Sequence, residues 1–240
     1  MQTAKLLTAY PSPFGHKVQC AAAIVGFEIR LEFVSTLEAG SELRRVNPLG
    51  KLPVLVPVGC EPIYDSSVIV EYLQLRTGTT LLIPRDSQMR LSALRAQALA
   101  DGLAEAAVLI YSEFQWREPP MRNTAWLAHQ AEKMVRCLDH LEGAQMLNPR
   151  ATAERNIGTI ALGCTLNYLA LRFGNGMANR WPRTFSWVEH LARDMEEFAS
   201  TAPLQQALHL KYVPADELFG LLRLEPANTT TRPSLGGSLD

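Results

Sequence analysis

The chain has 240 residues, enough for two small domains, and its 47% apolar and 20% charged content suits a globular protein with a substantial core. Its 23 basic and 24 acidic side chains leave a formal net charge of −1, which excludes a cationic surface built for nucleic acid or an anionic membrane. The opening MQTAKLLTAYPSPFG lacks the apolar segment and small-residue cleavage site of an export signal, so a cytoplasmic protein is expected.

Residues 5–9 are a short apolar run that predicts a strand. Pro13 opens a helix over 13–25, with Val18, Ala21, Ala22 and Val25 on one face and Gly26 as its stop. Ile29-Arg30-Leu31-Glu32-Phe33 alternates apolar and charged residues, the pattern of a half-buried strand. A short helix at 41–46 and a turn at Asn47-Pro48-Leu49-Gly50 come next. Two short strands at 54–56 and 63–64 precede a helix whose apolar face is Val68, Ile69, Tyr72 and Leu73. The order β-α-β-α-β-β-α describes a small sheet covered by helices.

After Pro84 the periodicity is helical. Helices are predicted over 88–112, 124–143, 157–173 and 185–200, with residues 78–86 as the linker. The segment 157–173 is apolar on nearly every side, yet it carries Thr159, Thr165, Asn167 and Arg172, and so predicts a buried helix rather than a membrane span. Beyond Leu224 the sequence is polar and poor in apolar anchors, which predicts a disordered tail. Cys20, Cys60, Cys137 and Cys164 are scattered without a C-x-x-C pair, so reduced thiols are expected and a zinc site is not. Cys20, Cys137 and Cys164 fall in apolar helical patterns and are expected in the core.

Three short patterns carry chemistry, and each has two readings. In Tyr10-Pro11-Ser12-Pro13-Phe14-Gly15-His16-Lys17, Ser12 sits where helical N–H groups and the dipole favour an anion such as a thiolate; it also suits a simple N-cap with proline following. In Asn47-Pro48-Leu49-Gly50-Lys51-Leu52-Pro53-Val54, Pro53 is a candidate cis peptide that would free the Leu52 backbone to pair with an extended peptide; an ordinary trans proline at a strand edge is the alternative. Asp65 and Ser66 open the next helix, either as its cap or as a clasp for a group bearing both an ammonium and a carboxylate.

Taken in order, these patterns resemble the glutathione S-transferase superfamily. The resemblance rests on S-P-F-x-x-K at Ser12, N-P-L-G-K-x-P-V-L from Asn47, and Asp65-Ser66-Ser67-Val68-Ile69-Val70-Glu71-Tyr72-Leu73. Leu82-Ile83-Pro84-Arg85-Asp86 resembles the family's linker, and Thr159–Cys164 with Tyr168–Phe173 its central C-terminal helix. The resemblance implies an α/β thioredoxin-like domain over residues 1–80, an all-α helical domain over 87–224 and a tail at 225–240. It also implies a transferase that activates glutathione for attack on a small hydrophobic electrophile, a detoxification role, and a homodimer with neither metal nor nucleic acid as partner.

By motif, Ser12 would stabilise the thiolate, with Tyr10 as rival. Leu52, before Pro53, would pair with the cysteinyl part of glutathione; Asp65 and Ser66 would hold the γ-glutamyl end, and Phe14 would line the site. Lys51, with Arg44 and Arg45, would face the glycine carboxylate. Members with cysteine in place of Ser12 make mixed disulfides, so enzyme-thiol exchange is disfavoured. Where the family commonly has Asp, this chain has Thr159, leaving Asn156 and Thr159 to cap the central helix. The second-substrate pocket is expected at the helix around 103–116 and the loop near Tyr10, with Tyr111, Phe114 and Trp116 as an aromatic wall; core or interface packing explains the same three rings. Arg117, Arg122 and His129 would favour an anionic substrate unless they are plain surface. The competing readings are a non-catalytic binding or regulatory module, and another glutathione-dependent enzyme such as a dehalogenase, etherase or isomerase.

Overall fold

The computed structural model describes residues 3–38, 42–144, 147, 152–174, 176–203 and 213–222. Strands β1 (Ala4–Thr8), β2 (Ile29–Phe33) and β3 (Val54–Val56) form one sheet in the order β2-β1-β3. β1 and β2 are parallel, with Leu6 opposite Leu31, and α1 (Pro13–Ile24) makes the crossover that such a pairing needs. β3 runs antiparallel to β1, with Leu6 opposite Leu55. The pleat sends Leu6 and Leu55 to one face, where they join Val18 of α1 and Ile69 and Leu73 of α3 (Ser66–Thr77). Leu7 and Val54 point the other way and pack on Leu43 of α2 (Glu42–Val46).

Two expectations for this half change. The strand anticipated at 63–64 is a single bridge, in which Leu55 and Ile63 exchange backbone hydrogen bonds of 3.0 and 2.8 Å. Pro62 has no N–H to lengthen the ladder, and Asp65 is already the N-cap of α3. In β2, Leu31 and Phe33 stay 38% and 54% exposed, because this edge strand lies at the margin of the helical layer.

Gly78, at φ 71°, closes α3 in the left-handed conformation. The connection that follows is pinned to both halves. The Gln74 side chain accepts from the Ile83 N–H at 2.7 Å and donates to the Ile83 carbonyl at 3.1 Å, while the Ile157 N–H donates to the Leu82 carbonyl at 2.8 Å.

The helical half contains α4 (Ser87–Trp116), a 3-10 turn (Pro119–Met121), α5 (Thr124–Gly143), α6 (Ile157–Phe173), α7 (Gly176–Arg180), α8 (Pro182–Asp194), α9 (Glu196–Thr201) and α10 (Ala215–Leu221). α6 is buried on nearly every side and lies against α4. Gly158 permits the approach: a Cβ there would sit 2.8 Å from the Ala93 carbonyl oxygen and from the Ala96 Cβ. Farther along, the Thr165 hydroxyl donates to the Ala100 carbonyl at 3.2 Å, which satisfies a buried polar group.

The helix expected over 185–200 is divided. Met195 is extended, at φ −129° and ψ 95°, and fully buried, so α8 ends before it and α9 starts after it. α7, α10 and the 3-10 turn were not expected, being too short to show a hydrophobic period. The expected domain end at 224 and tail at 225–240 lie outside the described residues. No described helix is long and apolar enough to cross a membrane.

The glycines of the helical half give opposite predictions. Gly158→Ala should destabilise the fold by about 1–3 kcal/mol, since the neighbour in its way is backbone. Gly102→Ala meets nothing within 4 Å and should stabilise by about 0.5–1 kcal/mol through helix propensity. Urea unfolding of both variants checks the pair; equal effects would refute the close α4–α6 approach.

Candidate active site

Strand register gathers the three sequence patterns at one end of the sheet. Leu7 faces Val54, so the next step up β1 sets Thr8 beside Pro53. Leu55 bridges Ile63, two residues before Asp65, so α3 starts from the β3 edge. β1 leads directly to the start of α1, and the bridge leads directly to the start of α3. Two helix N-termini therefore point to the same sheet end, each with unpaired N–H groups and partial positive charge.

Ser12 is the N-cap of α1, and its Oγ accepts from the Gly15 N–H at 3.1 Å. That bond uses a lone pair and leaves the hydroxyl proton to be donated elsewhere. Gly15 is required by space, because a Cβ there would overlap Thr8 Oγ1 at the end of β1. The Leu52–Pro53 peptide is cis, as is Tyr64–Asp65. Lys51 and Leu52 are presented by a turn that Asn47 holds: its side chain donates to the Lys51 carbonyl at 2.8 Å and accepts from the Leu49 N–H at 3.0 Å. Lys51, Arg44 and Arg45 are exposed. Asp65 caps α3, with Oδ1 accepting from the Ser67 N–H at 3.0 Å, and Ser66 beside it is buried.

The family pattern of the glutathione S-transferase N-terminal domain matches residues 11–76, the stretch that supplies all three motifs. The uncharacterized GST-like protein YibF of Escherichia coli K12 is 35% identical over 202 residues, covering 83% of this chain and 98% of YibF. The chain belongs to the glutathione S-transferase superfamily. A maleylacetoacetate isomerase of Pseudomonas aeruginosa is 27% identical over 84% of this chain and 97% of its own. The crystal structure of a glutathione S-transferase from Methylobacillus flagellatus with glutathione bound is 32% identical, with a TM-score of 0.75 over 84% of this chain and 100% of that one.

In this transferase-fold chain the two halves meet through Lys17, the lysine of S-P-F-x-x-K, and Asp101, which the sequence did not pair with it. Lys17 Nζ donates to both carboxylate oxygens of Asp101 in α4, at 2.7 and 2.8 Å, and its side chain is only 1% exposed. The same ammonium lies 5.7 Å from the centre of the Phe14 ring. Gln97 donates to Ser67 Oγ at 2.8 Å, and that hydroxyl lies 3.5 Å from Asp101 Oδ2. The available signal was a lysine on the apolar face of α1 and one aspartate within the alanine-rich stretch 96–107 of α4.

These contacts also orient α4. Glu71 and Arg90 approach to 3.9 Å while Ser67 meets Gln97, so α4 runs antiparallel to α3. The site lies at the start of α3, and the fifteen residues after Asp101 therefore rise about 22 Å beyond it. Val108, Ser112 and Gln115 continue the Asp101 face by helical period. Tyr111 flanks that face; it donates to Gln115 Oε1 at 3.4 Å and carries the Arg172 guanidinium 3.8 Å from its ring centre.

The other expected wall residues are distributed differently. Phe114 points away, beneath Arg122 at 4.3 Å, and lines a cavity of about 600 Å³ with Leu127 of α5 and Leu221 of α10. Trp116 is exposed at the end of α4, and Tyr10 packs on Phe33 at 5.7 Å between ring centres. Arg117 pairs with Glu113 at 3.1 Å, Arg122 donates to the carbonyls of Arg117 and Phe114, and His129 is exposed.

The four cysteines are free thiols. Burial pushes Cys20 up to about 12 and Cys137 up to about 11, and it raises Cys164 well above the ordinary thiol range too, so these three stay protonated and unreactive. Cys60 is exposed, and Cys137 is only partly buried where a core position was expected.

His16 stacks on Phe198 of α9 with ring centres 5.1 Å apart and Nε2 3.4 Å from the Phe198 carbonyl. Burial lowers its pKa from 6.5 to about 4, only partly offset by that hydrogen bond. Between those values the unfolded chain holds a proton that the folded chain does not. Stability from this residue is therefore complete above about pH 6.5, is lost as pH falls toward 4, and changes no further below that. Urea unfolding should show about 2 kcal/mol less stability at pH 5 than at pH 7. His16→Gln should remove most of that difference, and an unchanged difference would assign it to other groups.

Proposed function

We propose that the chain is a glutathione transferase that binds glutathione across the sheet end and directs its thiolate at an electrophile held beneath the overhanging part of α4. The observation that carries this reading is the convergence of two capped helix N-termini, at Ser12 and Asp65, on either side of the Leu52–Pro53 peptide. The relative with glutathione bound, 32% identical to this chain, supports it.

Asp65 pairs with the glutathione ammonium, and Ser66 supplies a hydroxyl and a helical N–H to the neighbouring carboxylate. The Leu52 backbone pairs with the cysteinyl residue as an added strand would. Lys51, aided by Arg44 and Arg45, takes the glycine carboxylate, and Phe14 lines the site. The thiol gives its proton to solvent, and the sulfur is stabilised by the Ser12 O–H and the positive start of α1. An unperturbed thiol of pKa about 8.5 is thereby drawn toward neutrality. A sulfur electron pair then forms the new C–S bond, while the electrophile's displaced pair leaves with its leaving group or moves onto a conjugated acceptor. Holding both reactants replaces a bimolecular encounter with a positioned one. Val108, Tyr111, Ser112 and Gln115 form the wall against which the electrophile lies.

The similarity to maleylacetoacetate isomerase favours a second reading, in which the thiolate adds to a conjugated double bond and is later expelled. Conjugation consumes glutathione and isomerisation does not, which separates the two in one assay. We further propose a homodimer, since Val68 and Leu75, seven residues apart on α3, leave apolar surface exposed beside the Glu71–Arg90 contact, and we place it in the cytoplasm. Sedimentation at micromolar concentration should give twice the chain mass.

Calorimetry should show glutathione binding that Asp65→Ala weakens at least about tenfold. Ser12→Ala should bind within a few-fold of the unmodified protein, yet lose the ionised thiol near neutral pH and about a hundredfold in kcat. No affinity at millimolar glutathione would refute the reading, and binding without turnover of any electrophile would leave a binding module.

A further inference from the structure

We propose that Asp101 is a positioning residue for the glutathione site, acting from the helical half to hold the starts of α1 and α3 in register. The inference rests on the function proposed above. Asp101 touches neither of the groups assigned to the ligand; it bonds Lys17, five residues after Ser12 in the same helix, and approaches Ser67, whose N–H bonds Asp65.

Toward α1, both of its oxygens accept from Lys17 Nζ, at 2.7 and 2.8 Å. Lys17 follows Pro13 by four residues, so the pair ties α1 to α4 one turn beyond the start that Ser12 caps. The lysine is 1% exposed and has no water to turn to, so the direction of its side chain is set by the carboxylate.

Toward α3, Asp101 Oδ2 lies 3.5 Å from Ser67 Oγ, and Gln97, one turn earlier in α4, donates to that hydroxyl at 2.8 Å. The Ser67 main chain faces the other way, and its N–H donates to Asp65 Oδ1 at 3.0 Å. Ser67 thus joins the clasp carboxylate to α4 through its two ends. A displacement of Asp101 reaches the thiolate position through Lys17 and the γ-glutamyl position through Ser67. A pair that served only to hold the halves together would alter stability and leave both positions alone.

The test uses two variants and the full chain. Lys17→Met/Asp101→Leu replaces the ion pair by apolar side chains of similar size, a change buried pairs often tolerate. Ser67→Ala removes the second arm and leaves the ion pair intact, with Ser67→Thr as the control that keeps a hydroxyl. The readouts are the melting midpoint, the glutathione Kd by calorimetry, and the pH at which bound glutathione ionises, followed by thiolate absorbance. The double variant should weaken glutathione about tenfold and raise the ionisation pH, because the Lys17 arm is cut and Ser67 keeps only Gln97 as its partner in α4. Ser67→Ala should weaken binding by several-fold with the ionisation pH unchanged, and Ser67→Thr should restore it. Wild-type affinity in a folded double variant, or in Ser67→Ala, overturns the inference. If the double variant fails to fold, Ser67→Ala against Ser67→Thr decides. Absence of glutathione binding by the unmodified protein refutes the site reading instead, so the two failures are distinct.

Discussion

A lysine ammonium taken almost wholly out of water dictates how the two halves of this chain meet. Lys17 lies on the face of α1 that also carries Val18 and Ala21, so it enters the core with them. Desolvation of an ammonium costs several kcal/mol, and only a well-placed carboxylate offsets it. Asp101 provides that carboxylate from α4, and remains partly exposed at 23%, which keeps its own desolvation small. The pair thus acts less as a source of stability than as a constraint. Packings of α4 on α1 that separate the charges leave a buried cation alone. Apolar contacts between α1 and α6 tolerate some sliding; the bidentate bond does not.

Under the proposed function, the sheet end uses the same groups for folding and for chemistry. Ser12 and Asp65 satisfy orphan N–H groups at their helix starts, as any cap does. Each retains what a ligand needs: Ser12 keeps its hydroxyl proton, and Asp65 keeps an oxygen that no capping bond occupies. Capping and binding are therefore compatible readings of one residue. The sequence leaves the choice between them open, and the convergence of both helix starts supports the binding role proposed above. Convergence itself is a matter of register. β1 antiparallel to β3, and β3 bridged to Ile63, leave the starts of α1 and α3 no other end of the sheet to occupy.

How much of this was legible depends on the sequence distance over which each feature is decided. Features set within one turn of chain were readable: the α1 start at Ser12-Pro13, the α5 and α6 spans, and the turn that Asn47 holds. Features set by a distant partner were not. Lys17 and Asp101 are 84 residues apart, and nothing local to either names the other. Met195 breaks a good helical pattern because its side chain is buried by tertiary packing, and tertiary packing overrides propensity. The alternation in β2 was real, yet alternation says which residues share a face and not whether that face is covered; Phe33 shares a face and stays exposed.

The α4 wall shows the same limit in a more instructive form. Helical period alone groups Val108, Ser112 and Gln115 on one face and sets Phe114 away from them. Without an anchor, nothing says which group overlooks the site, and the aromatic residues attract the assignment because rings suit apolar ligands. Asp101 supplies the anchor, and the phase of the helix then follows. The lower half of that face is consumed by the junction through Gln97 and Asp101, whereas Val108, Ser112 and Gln115 in its upper half are only partly buried. Stability of α4 rests on other faces, chiefly the close approach to α6 at Gly158. Ser112 carries neither the core packing of Val108 nor the Tyr111 bond of Gln115. A helix anchored at its middle and packed along its back can vary its overhang without disturbing the junction, which suits the proposed transferase, where one thiolate position would meet different electrophiles.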